Sequence, residues 1–337
     1  MGFLAELASK YKTVSIVGMA KNAGKTTALN FFIEEAMDEG LRLAITSTGR
    51  DGEAVDLVTA TEKPRIWLDQ DTLVSVPTKL YELAEAGLEI VRMTKYHTSI
   101  GDTMICRVAE SGYVQVAGPV TTADQVRLSG DFLSLGAELV LIDGAIDRKS
   151  IAAPESSDAI ILSSGAVISR RMERVVEETA HVAGLYALEK LPDGDLRRAL
   201  TEKKPKNVSV VKKGEIFELE LKTGLSAGGA LDEAIDEDTE AVYIPGALTK
   251  SVIEEIHPKK LRSLQIILKD PTKIFVGSKD WQQLRRRGLN VSVLENIRVA
   301  AVTVNPWAPG GYSFDHKALK DAMQAALPDI PIIDVRL

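Results

Sequence analysis

Between Gly18 and Thr27 the sequence reads Gly-Met-Ala-Lys-Asn-Ala-Gly-Lys-Thr-Thr, residue types suited to holding a polyphosphate. Glycine lets backbone amides approach an anion closely. Successive N–H groups wrap phosphate oxygens, and a helix opening beside them adds the positive end of its dipole. Lys21, Asn22, Ala23, Gly24, Lys25, Thr26 and Thr27 are therefore the candidates for nucleotide contact. Lys25 has the reach to stabilise charge on the outer phosphates, and the Thr26 hydroxyl is placed to ligate magnesium. Lys21 stands four residues before Lys25. It reads as a local phosphate contact or as a solvent-facing residue.

Further acids stand where a metal or a water would need them. Ala137–Asp143 (AELVLID) is an apolar run ending in a carboxylate, and ligands of parallel sheets gather at the carboxyl ends of strands. Asp143 is thus a candidate for magnesium, the competing reading being a cap on a turn with Gly144. Asp147, Arg148, Lys149 and Ser150 follow it, suited to sensing the outer phosphate or facing a partner. Asp51, in GRDGE, is a candidate for orienting attacking water, with Arg50 neutralising charge; the alternative is a solvated turn on Gly49 and Gly52. Lys25, Asp51 and Asp143 make up the expected catalytic set. Asp102 and Thr103 in IGDT are weaker candidates, for a loop that closes on the metal. Asn305 and Pro306, ending VTVNP, suit the edge and face of a purine, with Trp307 beside them. No NKxD guanine-reading pattern occurs in this region, which favours ATP. Cys106, the sole cysteine, reads as a small buried hydrophobe. His97, His181, His257 and His316 have no metal-ligand spacing.

The elements that must position these residues are legible in outline. Thr13–Gly18 (TVSIVG) is a β-branched run that reads as a buried strand, and Leu29, Phe32, Ile33 and Ala36 then recur at helical spacing before Gly40. Further strands are expected at 89–95, 113–118, 137–143, 158–162, 241–246, 265–270, 272–277 and 298–305, with helices over 122–135 and 167–180; 97–108 has no clear pattern. The alternation predicts a three-layer α-β-α fold with a mostly parallel sheet and a decorated C-terminal half. The expected divisions are a nucleotide-binding core over 1–190, an insertion or small subdomain over 191–240, and an α/β region over 241–337 that completes or packs on the core sheet. The chain has 337 residues, 45% of them hydrophobic, which excludes a wholly disordered polymer. With 41 Lys and Arg against 48 Asp and Glu, the net charge of −7 argues against a general nucleic-acid or anionic-membrane binder. The amphipathic N-terminus lacks a signal-peptide pattern and no apolar stretch suffices to span a bilayer, so the expected setting is cytoplasmic.

AGKTT (23–27), VLIDG (140–144) and TVNP (303–306) together resemble a P-loop NTPase of the SIMIBI class, the group of signal-recognition, MinD and dethiobiotin-synthetase proteins. The first of these carries the Walker A motif, with one departure: five residues rather than four separate Gly18 from Gly24, and Met19 stands where a strict match has glycine. The resemblance also implies a lysine acting across a dimer interface at Lys21, although the family's second lysine stands one residue further from GK than Lys21 does. The stretch 142–172 (IDGAIDRKSIAAPESSDAIILSSGAVISRRM) is similar to P-loop proteins associated with adenosylcobalamin-dependent aminomutases such as lysine 5,6-aminomutase. These resemblances imply a magnesium- and ATP-dependent NTPase that remodels or reactivates a partner enzyme in the manner of a chaperone, with homodimerisation as a common family arrangement. The alternative they imply is a small-molecule kinase or ATP-dependent ligase of the dethiobiotin-synthetase type.

Overall fold

The computed structural model describes residues 2–48, 66–98, 100–144, 156–220 and 228–335. They fall into two compact units, Met1–Thr179 with Arg298–Leu337, and Ala180–Ile297. The first unit opens with α1 (Phe3–Lys10), β1 (Thr13–Gly18) and α2 (Lys25–Asp38). Leu29, Phe32, Ile33 and Ala36 of α2 are all buried, as their spacing predicts. The backbone amides of Leu4 and Ala5, at the open end of α1, donate to the Glu35 and Glu39 carboxylates at 3.1 and 3.0 Å. The chain continues through β2 (Leu43–Ser47), β3 (Ile66–Leu68), β4 (Leu73–Pro77), β5 (Gly87–Thr98), β6 (Gly101–Glu110) and β7 (Gly112–Val114). Next come α3 (Thr122–Ser134), β8 (Leu139–Asp143), β9 (Ala159–Gly165) and α4 (Met172–Tyr186), along which the division between the units falls after Thr179. Thr121 caps α3 by accepting the Asp124 amide.

The second unit contains α5 (Asp195–Lys203), the hairpin β10 (Ser209–Lys212) and β11 (Glu215–Glu218), α6 (Gly228–Ala234), β12 (Thr239–Ile244) and β13 (Leu248–Thr249). It continues with α7 (Lys250–Glu254), α8 (Pro258–Ser263), β14 (Gln265–Leu268), β15 (Ile274–Phe275), α9 (Ser278–Arg286) and β16 (Asn290–Val293). Its five-stranded sheet runs β11-β10-β12-β14-β16. The last three strands are parallel and β10 is antiparallel to both its neighbours. The hairpin at 209–218 thus shares one sheet with the strands at 239–244, 265–268 and 290–293. Its core is built on Val242, Ile244, Ile266, Leu268, Val291 and Val293.

The chain then re-enters the first unit with β17 (Val299–Asn305), β18 (Trp307–Ala308), β19 (Tyr312–Ser313), α10 (His316–Ala326) and β20 (Ile332–Asp334). The completed sheet has nine strands in the order β20-β17-β9-β1-β8-β2-β4-β6-β5. All neighbours from β20 to β4 pair in parallel, and the β5–β6 hairpin closes one edge antiparallel. This is a mixed α/β fold with a largely parallel central sheet. Alternate residues of one strand face opposite layers. Leu139 and Leu141 of β8 pack with Leu29 and Phe32 of α2, while Val140 and Ile142 pack with Leu128 and Phe132 of α3. The stretch 97–108, without a clear pattern in sequence, spans the end of β5 and most of β6. No helix among the described residues is long and apolar enough to cross a membrane.

Candidate functional site

Parallel pairing brings the chemistry-bearing residues to one edge. Ile16 of β1 is level with Asp143 of β8, and Ser47 of β2 is level with Asp143 from the other side. On the opposite flank Gly18 is level with Ser163 of β9, and Gly165 with Asn305 of β17. The loop between β1 and α2 therefore opens where the carboxyl ends of five adjacent strands converge, the position at which open α/β sheets hold ligands.

The loop after β1 turns within a few residues of the strand end. The Met19 amide still donates to the Ser163 carbonyl at 2.9 Å, continuing the β1–β9 ladder past Gly18. The turn proper starts at Ala20, whose carbonyl accepts the Ala23 amide at 3.2 Å. Asn22 (φ 64°) and Gly24 (φ 99°) both adopt left-handed backbone. Asparagine tolerates that region through its short polar side chain, and glycine carries no penalty there. Such turns aim successive N–H groups into one concavity. Gly24 is required twice over, because a Cβ at this position would stand 3.0 Å from Cβ of Asn305.

Lys25 begins α2 and folds back over the loop, and a Cβ on Gly18 would lie 3.0 Å from its Cγ and Cδ. Its ammonium donates to the carbonyl of Gly144, the residue after Asp143. The head of α2 is thereby tied to the end of β8. Asp143 is half-buried, its carbonyl accepts the Thr48 amide at 3.0 Å, and the Gly144 amide donates to Ile16 at 3.0 Å. Thr26 and Thr27 are half-buried in the first turn of α2, Ala23 is buried, and Lys21 is exposed.

Asn305 is buried against Gly24 and Gly165. Its Oδ1 accepts the Trp307 amide at 3.1 Å, which fixes the amide plane and leaves the Nδ2 side towards Gly24. Pro306 follows, its carbonyl accepting the Phe314 amide at 2.9 Å. The Tyr312 hydroxyl donates to the Ala166 carbonyl at 2.6 Å, and the Arg170 guanidinium stands 5.3 Å above the Tyr312 ring. The β18–β19 hairpin is thus pinned to the loop after β9.

Magnesium calls for hard oxygen donors and often takes only one or two from protein, the rest coming from phosphates and water. A Thr26 hydroxyl and an Asp143 carboxylate at the joined ends of α2 and β8 fit that donor set. Among the described residues no group of three or more His, Cys, Asp or Glu side chains is placed to hold a metal by itself. Asp51, Arg50 and residues 147–150 lie outside the described residues. Asp102 and Thr103 occupy the start of a strand rather than a loop. That strand is four places from β1 in the sheet, with Asp102 bonded to the His97 ring and Thr103 fully buried. Cys106 is fully buried, and desolvation pushes its thiol up to about 11. The histidines are dispersed: His181 meets the Val276 carbonyl, His257 accepts the Lys259 amide and His316 pairs with Asp334.

Several participants left no signal in sequence. The Gly144 and Ser163 carbonyls act through the backbone, so residue type does not reveal them; only strand register does. The chain matches no family model, no curated protein and no solved structure.

Proposed function

We propose that the chain is a P-loop NTPase of the SIMIBI kind that binds ATP with magnesium on the 18–27 loop and couples hydrolysis to remodelling or reactivating a partner enzyme. The observation that carries this reading is the union of a left-handed glycine loop, a lysine folded back over it, and an acid-bearing strand end joined to that lysine. In this reading the loop amides and Lys25 hold the outer phosphates, and Lys25 exchanges its Gly144 contact for a phosphate oxygen. Thr26 and Asp143 would hold magnesium, which when bound supplies neutralising charge to the phosphates. Asn305 donates from Nδ2 to an acceptor on the purine edge, and Pro306 lines the base. Asp51 positions the attacking water. Lys21 serves as a local phosphate contact or completes a site across a homodimer. The resemblance over 142–172 nominates an adenosylcobalamin-dependent aminomutase as the partner.

Steady-state hydrolysis with and without magnesium tests the site. Lys25→Ala is expected to lower ATP turnover by about 100-fold or more, the scale of removing one strong charge-stabilising donor. Turnover equal to that of the unaltered chain would overturn the assignment. Transfer of phosphate to a metabolite, with no protein partner present, would replace remodelling by small-molecule kinase chemistry.

A further inference from the structure

We propose that the second unit carries a docking face for an acidic segment of a partner protein, formed by Lys259, Arg262, Arg286 and Arg287. The identity of the occupant as a protein rests on the reading above; the face itself rests on the following geometry. Residues 256–268 and 281–294 contain six Lys and Arg and no Asp or Glu. The fold brings these two segments together. Gln265, opening β14, is level with Asn290, opening β16, and its Nε2 donates to the Ser292 hydroxyl at 3.1 Å. Gly288 (φ 104°), in the turn after α9, lies against α8, where a Cβ would stand 3.3 Å from the Arg262 Cα.

Two of the six cations are committed locally. Lys260 pairs with Asp232 at 3.1 Å, and Arg285 donates to the Leu289 carbonyl at 3.0 Å. Lys259, Arg262, Arg286 and Arg287 are exposed and form no ion pair among the described residues. The helix dipole favours cations near a C-terminus, which suits Arg286. It does not account for Lys259, which stands in the first turn of α8 where a cation is disfavoured. Like charges that form no ion pair among the described residues repel one another where they stand close, and such single-sign fields steer partners of the opposite sign.

The chemistry favours carboxylates on a protein over a nucleic acid. Trp281, the one aromatic residue in the two segments, is half-buried and packs on the His181 ring. No fully exposed aromatic ring stands within these two segments to stack a base. Arginine forks bind carboxylates in a bidentate manner, and a patch on two helix ends matches a short acidic run. The chain's net charge of −7 would oppose a long polyanion, whereas screening within about 8 Å at physiological salt confines a short contact to the patch.

The test uses the full chain, no nucleotide, and a fluorescein-labelled peptide of ten glutamates, read by anisotropy at low and high potassium chloride. Binding is expected at low salt, weakening as salt rises. A variant carrying Arg262→Glu, Arg286→Glu and Arg287→Glu is expected to bind at least tenfold more weakly while hydrolysing ATP at an unchanged rate. Equal binding by chain and variant would overturn the proposal, as would no binding by the unaltered chain. So would a ten-nucleotide poly-dT strand binding as tightly as the peptide. Should circular dichroism show the reversal variant unfolded, Arg286→Gln with Arg287→Gln is expected to weaken binding at least threefold, and no change would overturn the proposal. Peptide binding in a chain that hydrolyses no nucleotide would support this face while counting against the NTPase reading.

Discussion

Gln125 lies 97% buried in the first turn of α3, and among the described residues neither polar atom of its side-chain amide has a hydrogen-bond partner. Ser129, one turn further, and Thr103 of β6 share this condition, whereas neighbouring Ser75 donates to Thr46 and is satisfied. Burying an amide without a partner costs roughly 1–3 kcal/mol judged by protein substitutions. Replacing such a group by an apolar one of the same shape removes that cost. Gln125→Met, close in length and volume, is therefore expected to stabilise the first unit by about 1 kcal/mol, measured as a rise in urea midpoint at unchanged slope. A fall in midpoint would mean that the amide makes a bond in solution that this conformation lacks. The 18–27 loop shows the opposite condition. Gly24, Asn22 and Lys25 each adopt a conformation or contact that their residue type makes cheap, so local chemistry and tertiary placement agree there.

At the scale of elements, that agreement explains what could be read from the sequence. β1, the loop and α2 were legible because a β-branched run, a glycine pair and a 3.6-residue apolar repeat mark them independently. β8 was legible because all but its last residue are buried. β9 is expected to stop at Leu162, yet it runs through Ser163, Ser164 and Gly165. The polar residues that resemble a terminus are satisfied inside, Ser163 by Thr303 at 2.9 Å and Ser164 by Thr179 at 2.6 Å. β5 was legible over 89–95, whereas β6 escaped because Thr103, Met104, Ile105 and Cys106 are buried in succession, which erases the two-residue alternation. Ties between elements are equally hidden. Asp232 of α6 accepts the His257 amide at 2.8 Å and the Lys260 ammonium at 3.1 Å, joining α6 to α8. The amide bond foremost, and the lysine after it, hold this carboxyl below the usual aspartate range. A depressed acid stabilises the fold fully above the unfolded value of about 3.9 and loses that contribution as pH falls through the folded value. Asp232→Asn is thus expected to be less stable than the unaltered chain at pH 7, with the gap closing below about pH 4. Urea unfolding at pH 7 and pH 3 measures it; a gap of equal size at both would show that the charge contributes nothing.

The whole molecule interrupts one sheet to build another. The chain leaves the first unit after Thr179, completes a five-stranded sheet, and returns at Arg298 to add β17 beside β9. Without that return the 18–27 loop would lack Asn305, the residue packed on Gly24. Each unit has its own apolar core, one centred on Phe32, Leu29 and Leu141, the other on Val242, Ile266 and Val293. Separate cores make two unfolding transitions the expectation, since cooperativity follows the contiguity of buried surface. The candidate nucleotide residues belong wholly to the first unit. A ligand that binds only one folded unit raises that unit's stability by mass action, about 2.7 kcal/mol at a hundredfold excess over Kd. Calorimetry with magnesium and ATP is accordingly expected to move one of two heat-absorption peaks upward and leave the other in place. The peak that moves is expected to be the one shifted by Gln125→Met, and the peak that stays the one shifted by Asp232→Asn. Movement of the Asp232 peak alone would place the nucleotide in the second unit and remove the 18–27 loop from the site.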